Sequence, residues 1–218
     1  MAFWRRSPAW PVVLRDDSFT DPPGGTLILR RLVRRDRDDW MDVREHNADW
    51  LDRWEATLPP VLPGRHPGGR SRSAPTFGEY VRLLDGAARD GTTLPFAIEL
   101  DGELVGQLTV SSITYGSMCS ASIGYWVSEH VAGRGIAPTA VALAADYCLF
   151  ELGLHRIEVN IRPENAPSLR VVAKLGLRDE GLRVAYLHIQ GRWCDHRTFA
   201  VTAEEVPGGL LARWRGQQ

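Results

Sequence analysis

Ser122-Ile-Gly-Tyr-Trp-Val-Ser-Glu-His-Val-Ala-Gly-Arg-Gly-Ile-Ala-Pro138 decides the fold: a strand over 120–127, a glycine loop over 132–137, and a helix opening at Pro138 and running to 152. Gly133 and Gly135 let the backbone take positive φ and approach a ligand. Pro138 suits a first helical turn, where a missing N–H costs nothing. The first N–H groups of a helix have no intrahelical partner, and the dipole places partial positive charge beside them. Such a loop is a diphosphate cradle, with Arg134 adding a full charge. It lacks the Gly-Lys-Ser/Thr ending of a Walker loop and the third glycine of a dinucleotide fingerprint. On the glycines alone, an ordinary strand-to-helix connection explains the pattern equally well.

C-terminal to this unit come a strand over 156–161, a helix over 168–175 stopped by Gly176, and strands over 184–190 and 195–202 joined by Gly191-Arg192. N-terminal to it, Leu94–Leu100 and Glu103–Ser112 form a hairpin around Asp101-Gly102, the strongest turn signal in the chain. Thr26–Val33 reads as a strand. Asp36–Trp54 reads as a helix, with Asp36 or Asp38 able to cap it, and 76–88 as another. Three regions complete the layout: an irregular Trp- and Pro-rich arm over 1–25, one domain over 26–203, and a tail over 204–218. Inside the domain, 57–76 holds Arg65, Arg70 and Arg72 and no acid, and is expected to be a mobile basic loop.

At 218 residues the chain supports one sizeable core. Hydrophobic content of 44%, charged content of 24% and a net charge of −1 are those of a globule with no nucleic-acid partner by default. No apolar run is long enough to cross a bilayer, and the start lacks the apolar core of a secretory signal, so no membrane partner is expected. Cys119, Cys148 and Cys194 lack metal-ligand spacing; a reduced, cytoplasmic, metal-free protein is the simplest reading. Lys174 is the only lysine in the chain, which removes every other position as a lysine nucleophile or Schiff-base former.

Ala132-Gly-Arg-Gly-Ile-Ala137 resembles motif A of the GCN5-related N-acetyltransferase (GNAT) superfamily, Q/R-x-x-G-x-G/A. Asn165-Ala-Pro-Ser168 with Lys174-Leu-Gly-Leu177 resembles the family's N-x-x-S and K-L-G-F elements. Asp179-Glu-Gly181, Tyr186 and Gly191-Arg-Trp-Cys-Asp-His196 are similar to the RimJ/RimL branch, which acetylates N-termini of ribosomal proteins. The resemblance spans 26–202 and departs at Ala132, which stands at the Gln/Arg position. It implies an α+β, GNAT-like fold: a mostly antiparallel, splayed central sheet of about seven strands with helices on both faces. It also implies acetyl-CoA as co-substrate. Trp126, Val127, Gly133, Arg134, Gly135, Ile136, Ala137, Thr139, Asn165 and Ser168 would bind it, with backbone near Trp126-Val127 pairing with the pantetheine arm like an added strand.

The implied reaction is direct attack of an amine on the thioester in a ternary complex. Ser168, by its motif position, is the candidate donor to the departing thiolate; as a first-turn serine it could equally serve the helix. The base is less defined. Ser122 stands where many relatives carry Glu, and Leu187 where another branch member does. His188 and Asp195 are the remaining titratable candidates, with Glu129 and Glu45 more remote. The expectation is proton removal through water without a strong dedicated base, which an α-amine near pKa ~8 allows. Trp50, Trp54, Tyr186, His188 and Asp195 are the acceptor-side candidates, with His46, Asn47, Asp49 and Glu55 as further polar choices. The implied acceptor is a protein or peptide N-terminus, such as that of a ribosomal protein, and the enzyme a monomer or homodimer. A lysine side chain, a small amine or antibiotic, or a non-enzymatic CoA-binding module for ribosomal-protein assembly stay open as alternatives.

Overall fold

The computed structural model describes residues 10–20, 23–59 and 75–217. Its centre is one sheet of eight strands: β1 (Leu14–Thr20), β2 (Pro23–Arg31), β3 (Leu94–Leu100), β4 (Glu103–Thr114), β5 (Ser120–Val127), β6 (Arg156–Ile161), β7 (Arg178–Ile189) and β8 (Arg192–Thr202). The spatial order is β1-β2-β3-β4-β5-β6-β8-β7. Every neighbouring pair is antiparallel except β5 and β6. The mostly antiparallel mixed architecture is therefore as expected, with one strand more. That strand, β1, lies in the stretch read as an irregular arm. Its apolar alternation is broken at Asp16, which points inward and is 4% exposed because it pairs with Arg215. Just before β1, Trp10 donates to Asp85 at 3.1 Å and packs edge-on to Phe96.

Period-2 alternation in β3 shows how the layers are arranged. Leu94, Phe96, Ile98 and Leu100 join the main core, while Ala97 joins Leu32, Val81 and Leu104 in a second cluster. The second cluster lies under α1 (Arg37–His46) and α3 (Phe77–Arg89), through Trp40, Val43, Phe77, Tyr80 and Leu84. The main core is filled by α4 (Ile136–Asp146), which continues as a π turn over Tyr147–Glu151. Helices thus cover both faces, and β3 reads as nearly continuous apolar sequence because both its faces are buried.

The long helix expected over 36–54 is instead α1, a break at Asn47, α2 (Ala48–Leu51) and a 3₁₀ turn over Asp52–Trp54. Asp36 occupies the N-cap position of α1, but its carboxylate accepts from Val33 N–H at 2.7 Å and from Arg30. Buried Asn47 explains the break. Its amide donates to Val43 O at 2.7 Å and to Ser128 Oγ at 2.8 Å, and its carbonyl accepts from Glu129 N–H at 2.7 Å. It joins the α1–α2 corner to the β5–α4 connection rather than offering a polar group to an acceptor. An Asn47→Ala variant should unfold roughly 5 °C lower, because about 2 kcal/mol of buried hydrogen bonding is left unsatisfied. A melting temperature equal to wild type by calorimetry would show the corner is not held this way.

The hairpin falls where its turn signal puts it, with positive φ at both Asp101 and Gly102. The basic segment lies largely outside the described residues, Arg65, Arg70 and Arg72 included, as does most of the N-terminal arm. The residues set apart as a tail fold into a 3₁₀ turn and α6 (Leu210–Arg215), which packs on α4 through buried Leu210 and Trp214.

Candidate active site

The sheet opens at one place. The parallel pair β5–β6 is in register only at Ser120↔Arg156, Ala121↔Ile157 and Ser122↔Glu158. Beyond Ser122, β5 continues to Val127 still paired with β4, while β6 continues to Ile161 paired with β8. One edge of β5 is thereby left without a strand neighbour, a row of backbone groups that an extended ligand can meet. Gly106 allows the other edge to stay closed. A Cβ there would lie 2.3 Å from the Trp126 carbonyl, so that carbonyl faces β4 and the alternate residues Tyr125 and Val127 face the gap. The Val127 carbonyl already accepts from Trp50 Nε1 at 3.2 Å.

The glycine loop closes the same gap. Gly133 and Gly135 have φ of 90° and 82°, and Gly135 is the left-handed N-cap of α4. The helix therefore starts at Ile136, two residues before the expected Pro138. Pro138 sits in the first turn, where its missing N–H costs nothing. A Cβ on Gly133 would meet nothing within 4 Å, so open space lies directly over the loop backbone. Opposite, Asn165 caps α5 (Ala166–Leu175), its Oδ1 accepting from Ser168 N–H at 3.2 Å. The first-turn reading of Ser168 is realised, and both residues line the cavity.

This cavity, of about 580 Å³, runs from the glycine loop along β5 to the α2 corner. It brings together Trp126, Val127, Gly133, Gly135, Ile136, Ala137, Asn165 and Ser168 of the expected cofactor side, and Trp50 and Trp54 of the expected acceptor side. Its donor set fits a coenzyme A thioester: glycine backbone and a helix N-terminus for diphosphate, and an open strand edge for an amide-bearing arm. Tyr125 also lines it. Burial pushes the phenol's pKa up, against a weak hydrogen bond to the Ser168 carbonyl at 3.4 Å, so the phenol stays protonated and ties α5 to β5.

Five expected residues are not among those lining the cavity. Thr139 is 2% exposed under the loop; its N–H bonds Gly135 O at 3.1 Å and its hydroxyl accepts from Trp214 Nε1 at 2.9 Å, so neither group is offered to a ligand. The Arg134 side chain does not line the cavity. His188 is 7% exposed and outside the cavity. Its Nδ1 meets Thr57 Oγ1 at 2.8 Å, and Thr57 N–H bonds His188 O, which pins the chain after α2 to β7. The groove placement of His188 and Tyr186 is thus replaced by packing: Tyr186 lies against His196 and under Arg183. Asp195 accepts from Ala185 N–H at 2.8 Å, supporting a bulge at which Ala185 takes φ of 52°.

Sequence reasoning did not single out Tyr80, Gln107 or Arg170, which line the cavity, and it noted Lys174 as the sole lysine without placing it in the site, whose wall it joins. Tyr80 and Gln107 bond each other at 2.9 Å. A glutamine inside the apolar run Leu104–Val110 was a usable signal, as was the sole lysine.

A sheet splayed beside a glycine loop that feeds a buried helix is a geometry able to hold an acyl carrier. A model of the acetyltransferase (GNAT) domain matches residues 26–178. The structure of Mycobacterium smegmatis RimJ in complex with CoA-disulfide superposes with a TM-score of 0.78, at 37% identity over 95% of each chain. The Escherichia coli ribosomal protein uS5-alanine N-acetyltransferase is 30% identical over 85% of this chain and 95% of its own. Bacillus subtilis YjcK is 39% identical over 46% of this chain, and that match spans 56% of YjcK. The chain belongs to the GNAT acetyltransferase family, in its RimJ/RimL-like branch, and is an N-acetyltransferase of the acetyl-CoA-dependent kind.

Proposed function

We propose that this enzyme acetylates the N-terminal α-amine of a protein, with a ribosomal protein as the leading candidate, by direct attack on bound acetyl-CoA. The observation that carries the reading is the loss of β5–β6 pairing after Ser122, which leaves a strand edge and a glycine loop facing one continuous cavity. Acetyl-CoA supplies the activated acyl group. Backbone N–H groups from Gly133 to Ala137 hold its diphosphate, and the edge at Tyr125 and Val127 holds the pantetheine amides. Asn165 fixes the first turn of α5, from which Ser168 donates to the thiolate as it departs. The acceptor enters beside Trp50 and Trp54. Its proton leaves through water, since His188 and Asp195 are engaged elsewhere and an amine with pKa ~8 is partly neutral at pH 7.

The wall chemistry favours an acceptor carrying one positive charge. Glu55 is the single carboxylate among the described residues lining the cavity, beside the cations Arg170 and Lys174. A polyamine would need several carboxylates to offset its charges. The Escherichia coli relative named as a ribosomal protein uS5-alanine N-acetyltransferase supports a protein acceptor. Intact-mass measurement of a peptide panel with acetyl-CoA tests the reading. Ala- and Ser-initiated peptides should each gain one acetyl group, and N-terminally blocked lysine peptides none. Transfer to lysine or to small amines alone would overturn it.

A further inference from the structure

We propose that Glu55, clamped by Arg44, is the group that captures and orients the acceptor amine. The inference rests on the transferase reading of the cavity and names the part of its wall that recognises the second substrate. Glu55 directly follows the 3₁₀ turn Asp52–Trp54, between the indole of Trp54 and the bridge Ala56↔Ile189. Its Oε1 accepts from Arg44 Nη1 in an ion pair. That pairing is also the largest cause holding the Arg44 guanidinium above its ordinary pKa. Arg44 is itself immobilised: its guanidinium carbon lies 5.6 Å from the ring centre of Trp40 and 5.6 Å from that of Trp126. Trp126 belongs to β5 beside the open edge, so the clamp gives Glu55 a fixed position relative to the acyl-carrier strand.

Three features make this more than a surface ion pair. Glu55 supplies the only negative charge on the described wall, so it is where an incoming ammonium is attracted. Arg44 engages Oε1, and Oε2 is the atom available to an N–H donor. The residues around it are fixed rather than adaptable. Trp50 is tied to Val127, Tyr80 to Gln107, and Trp54 lies under Arg162, whose Nη1 donates to Arg53 O at 2.9 Å. An amine whose N–H points at Oε2 keeps its lone pair free once its proton has left through water. Glu55 thus acts by holding the nucleophile in place, not by accepting its proton.

Steady-state kinetics on Glu55→Gln, beside calorimetry with coenzyme A, decide the matter. The expected result is a KM for the acceptor peptide raised at least tenfold, with coenzyme A affinity within twofold of wild type. The rise of peptide KM with added salt should also flatten, because an ammonium–carboxylate attraction is screened. Glu55→Asp, which keeps the charge on a shorter arm, should recover part of the loss. Unchanged peptide KM in Glu55→Gln would overturn the proposal. So would parallel losses of peptide and coenzyme A affinity, which would mark Glu55 as a mere prop for Trp126. If wild type acetylates only lysine or small amines, the Nα reading fails, yet the same variant assayed with that amine still decides the role of Glu55. A protein that acetylates no amine overturns both.

Discussion

A Gly133→Val variant should bind coenzyme A at least 100-fold more weakly than wild type while remaining folded. The backbone at Gly133 has φ of 90°, a conformation that costs a non-glycine residue on the order of 1–2 kcal/mol. That strain lowers the melting temperature by a few degrees in a chain of this size. The larger effect is on the ligand. The position a Cβ would take at Gly133 is open, with nothing within 4 Å, and it borders the cavity. A branched side chain there fills the space in which a diphosphate would meet the loop's N–H groups. Loss of those contacts accounts for the roughly 2.7 kcal/mol that a 100-fold change represents. Gly135→Ala is the informative companion, because its methyl would meet Trp214 Cζ2 at 3.6 Å, an ordinary contact. It carries similar backbone strain without obstructing the loop, so it should lose far less affinity. Titration calorimetry with circular dichroism separates the two effects, and equal affinities for wild type and Gly133→Val would refute the cradle.

The cofactor half of the site was legible in sequence because local chemistry builds it. Positive φ at Gly133 and Gly135, the Asn165 cap and the left-handed stop at Gly176 are all written in residues whose backbone preferences are specific. The acceptor half was not, because long-range contacts set it. His188 and Tyr186 do alternate along a strand. Which groups that strand meets depends on Thr57, 131 residues away, and on a bulge at Ala185 that no local pattern marks. Asn47 looked like a polar group on a helix surface and proves to be a buried joint to residues 81 and 82 positions on. β1 was hidden for the same reason. Its inward position is an aspartate that makes sense only once Arg215 arrives from the other end of the chain.

The same long-range logic gives the second large effect, at Trp214. Helix α6 is docked by Asp146, whose carboxylate accepts from the N–H groups of Leu210 at 2.6 Å and Leu211 at 3.0 Å. Burial raises the Asp146 pKa, against those two hydrogen bonds that lower it. Docked in this way, Trp214 is 6% exposed, donates to Thr139 Oγ1, and lies beneath Gly135 with Lys174 Nζ 5.7 Å from its ring. The C-terminal helix is therefore the floor of the glycine loop. Trp214→Ala should cost about 3–5 kcal/mol through the cavity it leaves, a fall of roughly 10 °C in melting temperature. Because the loop loses its support, coenzyme A affinity should fall about tenfold, while kcat at saturating acetyl-CoA stays near wild type. Trp214→Phe retains most of the volume but not the indole N–H. It should recover most of the stability and leave a smaller affinity deficit, reflecting the unpaired Thr139 hydroxyl. A Trp214→Ala protein that melts lower yet binds coenzyme A as tightly as wild type would show that α6 stabilises the fold without shaping the loop.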